Sequence, residues 1–258
     1  MIPKNANWYK EIWSLSIKEM SWTEDTRNQV DFLIKVLGLT GKERILDLAC
    51  GFGRHSLEFA RRGFEVVGVD ITEVYVKDAK KQAEKEMLSA TFYHQDIREV
   101  AFEEEFDLVL NMGDGAIGYL ENEAENLKIF DVIAKALRNG GKHVMDIMSA
   151  DYADTHFPCD LWDAGTKGIT LSRFEWAPNT QILLYGQNDF AYGETLTAPE
   201  FGAGDPIRLY HRKELEQIMQ DRNMEIQQVF GKFDGTPGSN NEIQMIVCSE
   251  KLKEEIGG

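Results

Sequence analysis

The chain has 258 residues, of which 43% are hydrophobic and 28% charged; this suffices for one large folded domain and excludes global disorder. Its 44 acidic and 28 basic side chains give a net charge of −16, which repels phosphate backbones and disfavours a nucleic acid partner. No run of 18 apolar residues is present, and the N-terminus lacks a secretory-signal pattern. We therefore expect a cytoplasmic protein without a membrane partner.

Three cysteines, Cys50, Cys159 and Cys248, lie far apart in the sequence. No CxxC pair and no cluster of cysteine and histidine accompanies them. We interpret them as reduced thiols and predict neither a disulfide framework nor a metal site.

The first 27 residues are rich in aromatic side chains, among them Trp8, Tyr9 and Trp13. The segment "RNQVDFLIKVLGL" follows, and its apolar residues recur at helical spacing. We predict an aromatic cap over residues 1–27 and then an amphipathic helix.

Short apolar runs and helical patterns alternate in the next hundred residues. The runs are "RILDLA", "EVVGVD", "TFYHQD", "DLVLNM" and "GKHVMDIM", and the helical patterns between them are "RHSLEFARR", "EVYVKDAKKQAEKEM" and "AENLKIFDVIAKAL". This alternation predicts βαβ units and a mostly parallel sheet. Because the runs are apolar almost throughout, we expect strands that are covered on both faces.

The pattern changes between residues 150 and 210, which contain four prolines and alternating stretches such as "ITLSRFEW" and "QILLYGQNDF". These features predict an antiparallel β-rich insertion, which we interpret as a substrate lid. A helix, "RKELEQIMQDRN", and two strands, "EIQQVFGKF" and "NEIQMIVCSE", follow it. The turn-rich "DGTPGSN" between these strands predicts a terminal hairpin.

The stretch "ILDLACGFGRHSLEFA" combines a strand that ends in an acid, two glycines and the start of a helix. Glycine permits positive φ and lets the backbone approach a ligand closely, so Gly51 and Gly53 predict a cradle for a small ligand. Two ligand classes use such a turn: a dinucleotide, with the pattern GxGxxG, and S-adenosylmethionine, with an acid ahead of the glycines.

Two acids and one serine discriminate between these ligands. The third glycine of a dinucleotide motif would fall at Ser56. Asp47 stands just before the turn, where a carboxylate suits an ammonium group and repels a diphosphate. Asp70 ends the next strand, where it can accept hydrogen bonds from both ribose hydroxyls. The sequence therefore favours S-adenosylmethionine.

Five motifs in order extend this interpretation: "LDLACGFG", "VVGVDIT", "YHQDI", "FDLVLNMGD" and "LRNGGKHVMDI". On these motifs the chain resembles the class I S-adenosylmethionine-dependent methyltransferases, over roughly residues 28–150 and 207–250. The resemblance implies a Rossmann-like α/β fold with a seven-stranded sheet in the order 3-2-1-4-5-7-6, whose last strand is antiparallel. It also implies a single methyltransferase domain over residues 1–258, with the β-rich lid at 150–210 after strand five, and S-adenosylmethionine as cofactor.

The resemblance further implies a set of cofactor-binding residues at the ends of strands one to four. They are Asp47 for the methionine amino group, Ala49, Cys50, Gly51 and Gly53 for backbone contacts to the methionyl part, Asp70 and Ile71 for ribose and adenine, Asp96 and Ile97 for the adenine edge, and Asn111 and Met112 for the methyl-donor pocket. His55 begins the helix beside the turn and is a further candidate. No "DPPY" or "NPPY" stands at strand four, which disfavours methylation of nucleobase amines.

The insertion suggests the chemistry of the methyl acceptor. Residues 150–210 contain nine acidic side chains, three basic ones and ten aromatic rings. Such a surface suits a cationic or amine-bearing small molecule, through charge and cation–π attraction. The candidate substrate-binding residues are Trp8, Tyr9, Trp13, Trp162, Trp176, Tyr185 and His211.

The sequence does not name a catalytic group, because methyl transfer from a sulfonium requires mainly that donor and acceptor are held in line. Tyr9 and His211 are candidates for a general base, although His211 also suits a helix entry. We predict methylation of a small molecule, with nitrogen favoured over oxygen. A non-catalytic sensor of S-adenosylmethionine, a protein methyltransferase and an NAD(P)-dependent oxidoreductase remain alternatives; Ser56 and Asp47 disfavour the last.

Overall fold

The computed structural model describes residues 1–253. The helices are α1 Thr26–Leu37, α2 Arg54–Arg61, α3 Glu73–Glu86, α4 Glu123–Ala136, α5 Ala150–His156 and α6 Arg212–Gln220. The strands are β1 Ile2–Pro3, β2 Arg44–Leu48, β3 Glu65–Asp70, β4 Ala90–His94, β5 Phe106–Asn111, β6 Leu137–Met148, β7 Cys159–Ala164, β8 Gly168–Ala177, β9 Ile182–Ala191, β10 Ala203–Arg208, β11 Met224–Phe230 and β12 Gln244–Lys251. Short 3₁₀ turns occupy Trp8–Lys10, Leu15–Glu19, Ser21–Thr23 and Ile97–Glu99.

The main sheet has seven strands in the order β11-β12-β6-β5-β2-β3-β4. Strands β2 to β6 pair in parallel, whereas β12 is antiparallel to both of its neighbours, β6 and β11. With β2 as strand one, this arrangement confirms the predicted order 3-2-1-4-5-7-6 and its antiparallel last strand. The sheet is Rossmann-like, and the carboxyl ends of its parallel strands meet at one edge.

The central strands are buried on both faces. Ile45 and Leu108 pack with apolar residues of α1 and α2, whereas Leu46 and Val109 pack with those of α4 and α6. Successive strand residues face opposite sides of a sheet, so two covered faces require the near-continuous apolar runs of the sequence. Each such buried side chain contributes roughly 1.5–3 kcal/mol, which makes the sheet a rigid support for the turns at its edge.

A second sheet has the order β1-β10-β9-β8-β7. Its pairs are antiparallel, except that β1 of the N-terminal segment lies parallel to β10. The region between residues 150 and 210 begins with a helix, α5, before its strands start. The sequence pattern did not indicate this helix or the contribution of the N-terminal residues to the sheet.

The loop between β5 and α4 docks on the second sheet. The backbone N–H of Arg208 donates to the carbonyl oxygen of Gly118 at 2.8 Å. Gly118 has φ of 83°, and a Cβ added there would lie 2.0 Å from the Arg208 carbonyl oxygen. Because only glycine fits this contact, the loop is held beside β10.

Within residues 1–253 we find no helix whose length and apolar content would let it cross a bilayer.

Candidate functional site

A cavity of about 1020 Å³ opens at the carboxyl edge of the parallel strands. Its wall combines residues from the N-terminal segment, from the ends of β2, β3, β5 and β6, and from β8 to β10. This volume lies at the upper end of the range of small-molecule sites, which leaves room for two ligands of moderate size.

The two glycines of the turn after β2 have different roles. Gly51 has φ of 57°, and a Cβ added there would meet no atom within 4 Å, so its backbone faces open space. Gly53 has φ of 77°, and its added Cβ would lie 2.9 Å from the Phe92 ring. Gly51 therefore gives a ligand access to the backbone, whereas Gly53 is required by packing and is not part of the cavity wall.

Asp47 is buried at the floor of the turn and accepts a hydrogen bond from Ser56 Oγ at 2.5 Å. Burial raises the pKa of Asp47 to about 7, although the bond from Ser56 and the charge of Arg54 oppose this shift. Ser56 thus anchors the acid from the position where a dinucleotide motif would have glycine. In the sequence analysis, Ser56 served only to disfavour a dinucleotide motif, and its hydrogen bond to Asp47 was not predicted.

Asp70 accepts two backbone N–H groups, from Gly51 at 2.8 Å and from Thr72 at 2.7 Å, one on each carboxylate oxygen. Burial raises its pKa, and these two bonds oppose the increase. A carboxylate offers about four lone-pair sites, so each oxygen can accept one further donor. The arrangement suits a ligand with two adjacent hydroxyls.

Most of the predicted cofactor residues meet in the wall of the cavity. Those in the wall are Asp47, Ala49, Cys50, Gly51, His55, Asp70, Ile71 and Met112. Gly53, Asp96, Ile97 and Asn111 lie outside it. The buried Asn111 instead donates to the carbonyl oxygen of Gly115 at 2.9 Å and thereby holds the following loop.

Asp96 is occupied by Arg98, whose Nε lies 3.0 and 3.1 Å from its two oxygens. Arg98 also binds Glu121 and Glu125 at 3.0 and 2.6 Å. Ile97 is buried in the apolar cluster beneath this network. The sequence motif "YHQDI" did not indicate that an arginine one residue later would pair with its acid.

A partly buried arginine, which the sequence interpretation did not include, also lines the cavity. Arg54 Nη1 donates to Thr26 Oγ1 and Gln29 Oε1 at 3.0 and 2.6 Å. Burial lowers the pKa of Arg54 to about 10, so the side chain stays charged at neutral pH. His55 Nε2 shares Gln29 Oε1 at 2.8 Å, and burial together with the Arg54 charge holds its pKa well below the usual value. The sequence feature that could have indicated Arg54 is its position directly after the glycine turn, in "GFGR".

The predicted substrate residues separate into two groups. Trp8, Tyr9, Trp13 and Tyr185 line the cavity, and Trp162, Trp176 and His211 do not. Trp162 is 71% exposed on the edge strand β7. Trp176 Nε1 and His211 Nε2 each bond to Asp154, both at 2.9 Å, and His211 immediately precedes α6. His211 therefore stands at a helix entry, away from the cavity.

Further acids in the wall were not selected from the sequence. Tyr119 Oη donates to Asp114 Oδ2 at 2.8 Å. Burial raises the pKa of Asp114 to about 6, and burial with the Asp114 charge raises that of Asp146 to about 7. Asp205 pairs with Lys4 Nζ at 2.6 Å. Both Asp114 and Asp146 stood in the quoted strand-end motifs, but their convergence depends on the tertiary fold.

A Rossmann-like sheet with a glycine turn after its first strand and acids at the ends of its first two strands defines a nucleoside-binding α/β protein. Comparison with known proteins narrows this class. Residues 45–141 match a family described as a methyltransferase domain.

Two curated relatives and one solved structure illustrate the similarity. The putative methyltransferase YqeM of Bacillus subtilis is 24% identical over 83% of this chain and 87% of its own length. The glycine/sarcosine N-methyltransferase of Aphanothece halophytica is 30% identical over an aligned region that covers 51% of this chain and 50% of that relative. The structure of an S-adenosylmethionine-dependent methyltransferase from Clostridium acetobutylicum superposes with a TM-score of 0.72 at 18% identity, over 89% of this chain and 93% of that one. Residues 45–141 therefore match a methyltransferase domain, and the chain has the fold of an S-adenosylmethionine-dependent methyltransferase.

Proposed function

We propose that the protein transfers a methyl group from S-adenosylmethionine to a nitrogen atom of a small-molecule amine. One observation carries this proposal. A single cavity joins the turn after β2, which has the features of a cofactor cradle, to a region lined by acids and aromatic rings.

The residues of the first half suit the cofactor. In this proposal Asp47 receives the methionine amino group, Asp70 receives the ribose hydroxyls and Ile71 packs against the adenine. The open space at Gly51 and the free lone pairs of Asp70 support this fit. Asp96 and Ile97 lie outside the cavity wall, so we assign the adenine contact to Ile71 first.

The bound cofactor supplies a methyl group that its positively charged sulfur activates. The protein's own contribution is positional, because an in-line displacement gains most from holding the acceptor atom near the methyl carbon. Trp8 and Tyr9 are buried over the cavity, where they exclude water from the reacting groups. The second sheet forms the opposite wall through Tyr185, which supports the predicted lid role of this region.

The ionisable groups of the wall support an amine acceptor over a hydroxyl. An alcohol must lose its proton as it reacts, and because its hydroxyl is a far weaker acid than an ammonium, it requires a stronger base than the carboxylates of the wall. Burial raises the pKa of Tyr9 and Tyr119, so both phenols stay protonated at neutral pH. His55 is bound to Gln29. A neutral amine needs no base during the displacement itself, and the acids of the wall attract it in its cationic form.

The test is a turnover assay of the full chain with methyl-labelled S-adenosylmethionine. Its acceptors are matched sets of small amines, alcohols, phenols and carboxylates, together with a basic peptide. We expect S-adenosylhomocysteine to form with amines at rates at least about tenfold above those of the matched alcohols and phenols. A preference for phenols, carboxylates or the peptide would contradict the proposal, and binding of the cofactor without turnover of any acceptor would favour the sensor.

A further inference from the structure

We propose that Asp114 and Tyr119 form a subsite that binds the ammonium group of the acceptor, against the indole rings of Trp8 and Trp13. The identification of the occupant as the acceptor rests on the proposed function. The ligand class, an organic ammonium, rests on the geometry alone.

The position of Asp114 leaves its carboxylate open to a ligand. Asp114 lies in the loop between β5 and α4, and both Asp114 and Tyr119 line the cavity and keep part of their surface exposed. Tyr119 Oη donates to Asp114 Oδ2 at 2.8 Å, which fixes the orientation of the carboxylate. Among the described residues Tyr119 is its hydrogen-bonding side-chain partner, and no lysine, arginine or histidine forms an ion pair with it. Lone pairs of the carboxylate therefore remain for a ligand.

The charges around Asp114 favour a bound cation. The charge of Asp114 raises the pKa of Asp146. The charges of Asp114 and Asp205 raise the pKa of both Tyr119 and Tyr185. Lys4 compensates Asp205, and the charge of Arg54 acts on Asp146. A carboxylate that is partly removed from water and has no cationic partner is costly, so a cation bound at Asp114 would stabilise its ionised form.

Aromatic rings of the N-terminal segment pack against Tyr119. The rings of Trp8 and Tyr119 have centroids 4.9 Å apart, and Trp13 stacks parallel to Tyr119 at 6.4 Å with an angle of 8°. Aromatic faces attract organic cations. Trp8 exposes 3% of its surface, and among residues 1–253 its Nε1–H finds no hydrogen-bond partner. A buried donor without a partner costs free energy, and an acceptor atom on the ligand would satisfy it.

These features give Asp114 a second role, because an ammonium cannot attack the methyl group until it loses a proton. The Asp114 carboxylate takes one N–H proton, and the nitrogen keeps the electron pair of that bond. This pair forms the new N–C bond while the electrons of the broken C–S bond stay on sulfur. Asp114 then releases its proton to water, so the net products are the methylammonium, S-adenosylhomocysteine and one proton. Burial raises the pKa of Asp114 to about 6, which makes its carboxylate a stronger proton acceptor than an exposed one.

The experiment measures binding of tetramethylammonium and of tert-butanol, which is similar in size but uncharged, to the full chain saturated with S-adenosylhomocysteine. Ligand-observed NMR gives both affinities. We expect tetramethylammonium to bind more tightly than tert-butanol, Asp114→Asn to weaken the cation about tenfold and Tyr119→Phe to weaken it about threefold. The control Asp131→Asn makes the same change of charge at an exposed acid of α4 and is expected to leave the affinity unchanged.

Equal binding of the two probes, or an unchanged cation affinity in Asp114→Asn, would overturn the proposal. The result is independent of turnover. If no amine is methylated but the cation binds through Asp114, the subsite stands and the proposed function fails. If amines are methylated while Asp114→Asn binds tetramethylammonium as the wild type does, the function stands and the subsite fails. Thermal unfolding of each variant confirms that it is folded.

Discussion

At the scale of single residues, the site depends on buried acids whose partners differ. Asp70 receives two backbone N–H groups, whereas Asp47 receives one hydroxyl, from Ser56. Burial therefore raises the pKa of Asp47 to about 7, within the physiological range. A cationic amino group favours the ionised form of a carboxylate. Binding of the cofactor and ionisation of Asp47 are therefore expected to be coupled.

This coupling predicts a pH dependence of cofactor affinity. Between pH 6 and 8 Asp47 changes from mostly protonated to mostly ionised, so the affinity for S-adenosylhomocysteine is expected to rise by roughly tenfold. Calorimetric titrations across this range measure the change.

The variant Asp47→Asn provides the control for this prediction, because Asp114 and Asp146 also titrate in the cavity and remain in place. The variant is expected to bind more weakly, with an affinity that changes little between pH 6 and 8. A wild-type affinity that stays constant over the range, or a slope that survives in Asp47→Asn, would contradict the role assigned to Asp47.

The location of the two motif acids in the cavity wall could be predicted from the sequence, because each stands at the end of an apolar run, at a fixed distance from the glycines. Asp114 and Arg54 could not be selected in this way. Arg54 depends on Gln29, 25 residues earlier in the chain, and the partner of Asp114, Tyr119, packs on rings of the N-terminal segment. No local pattern encodes those contacts. Trp162 illustrates the opposite case, since an aromatic residue in a β-rich segment turned out to lie exposed on an edge strand.

At the scale of elements, the loop between β5 and α4 connects the two sheets. It carries Asp114 and Tyr119 into the cavity, and Gly118 seats it on β10. The contact at Gly118 tolerates no side chain, because the added atom would overlap the carbonyl group of Arg208. The position of the loop, and with it the side of the cavity that Asp114 and Tyr119 line, is therefore set by the second sheet.

Gly118→Ala is expected to destabilise the protein by about 1–3 kcal/mol, because alanine is strained at positive φ and its Cβ meets backbone. Denaturant unfolding monitored by tryptophan fluorescence gives the free energy of unfolding. Gly202→Ala is the matched control, since a Cβ there meets no atom within 4 Å, and we expect little change. Equal stabilities of the two variants would show that the loop does not depend on this contact.

Elements with strong local periodicity were predictable, and long-range pairings were not. The alternation of apolar runs and helical patterns, with the family motifs, led to the seven-stranded order that the structure confirms. The pairing of β1 with β10 joins residues about two hundred positions apart, and a strand of two residues has no periodicity to detect. The short α5 was missed for the same reason, because seven residues carry too little pattern.

At the scale of the whole molecule, the chain has a net charge of −16, and some of its acidic side chains are buried. Asp146 is the clearest member, because burial and the charge of Asp114 raise its pKa to about 7. In the unfolded chain its pKa is near 3.8, so the folded state holds the extra proton between these values. Stability attributable to this group is therefore lost as the pH rises towards 7.

Asp146→Asn removes this pH-dependent loss of folding stability, because asparagine does not ionise. Relative to the wild type, the variant is expected to be more stable at pH 8 than at pH 5, by about 2–3 kcal/mol. The quantity compared is the difference in free energy of unfolding between the variant and the wild type. His55 and His143, which are buried and neutral, contribute equally to both proteins and cancel in this difference. Denaturant unfolding without ligand at the two pH values measures it, and a difference that does not change with pH would contradict the buried charge assigned to Asp146.

The central claim is that the acids after the first two parallel strands receive the amino-acid and ribose groups of S-adenosylmethionine. Calorimetric titration of the full chain with S-adenosylhomocysteine and with NAD(P)H, for the wild type and Asp70→Asn, tests it most directly. We predict that the wild type binds S-adenosylhomocysteine tightly and does not bind NAD(P)H. Asp70→Asn is expected to lose about 1.5–3 kcal/mol of the binding free energy of S-adenosylhomocysteine, the contribution of a hydrogen bond to a charged group. Tight binding of the pyridine dinucleotide without binding of S-adenosylhomocysteine, or an affinity unchanged by Asp70→Asn, would contradict the claim.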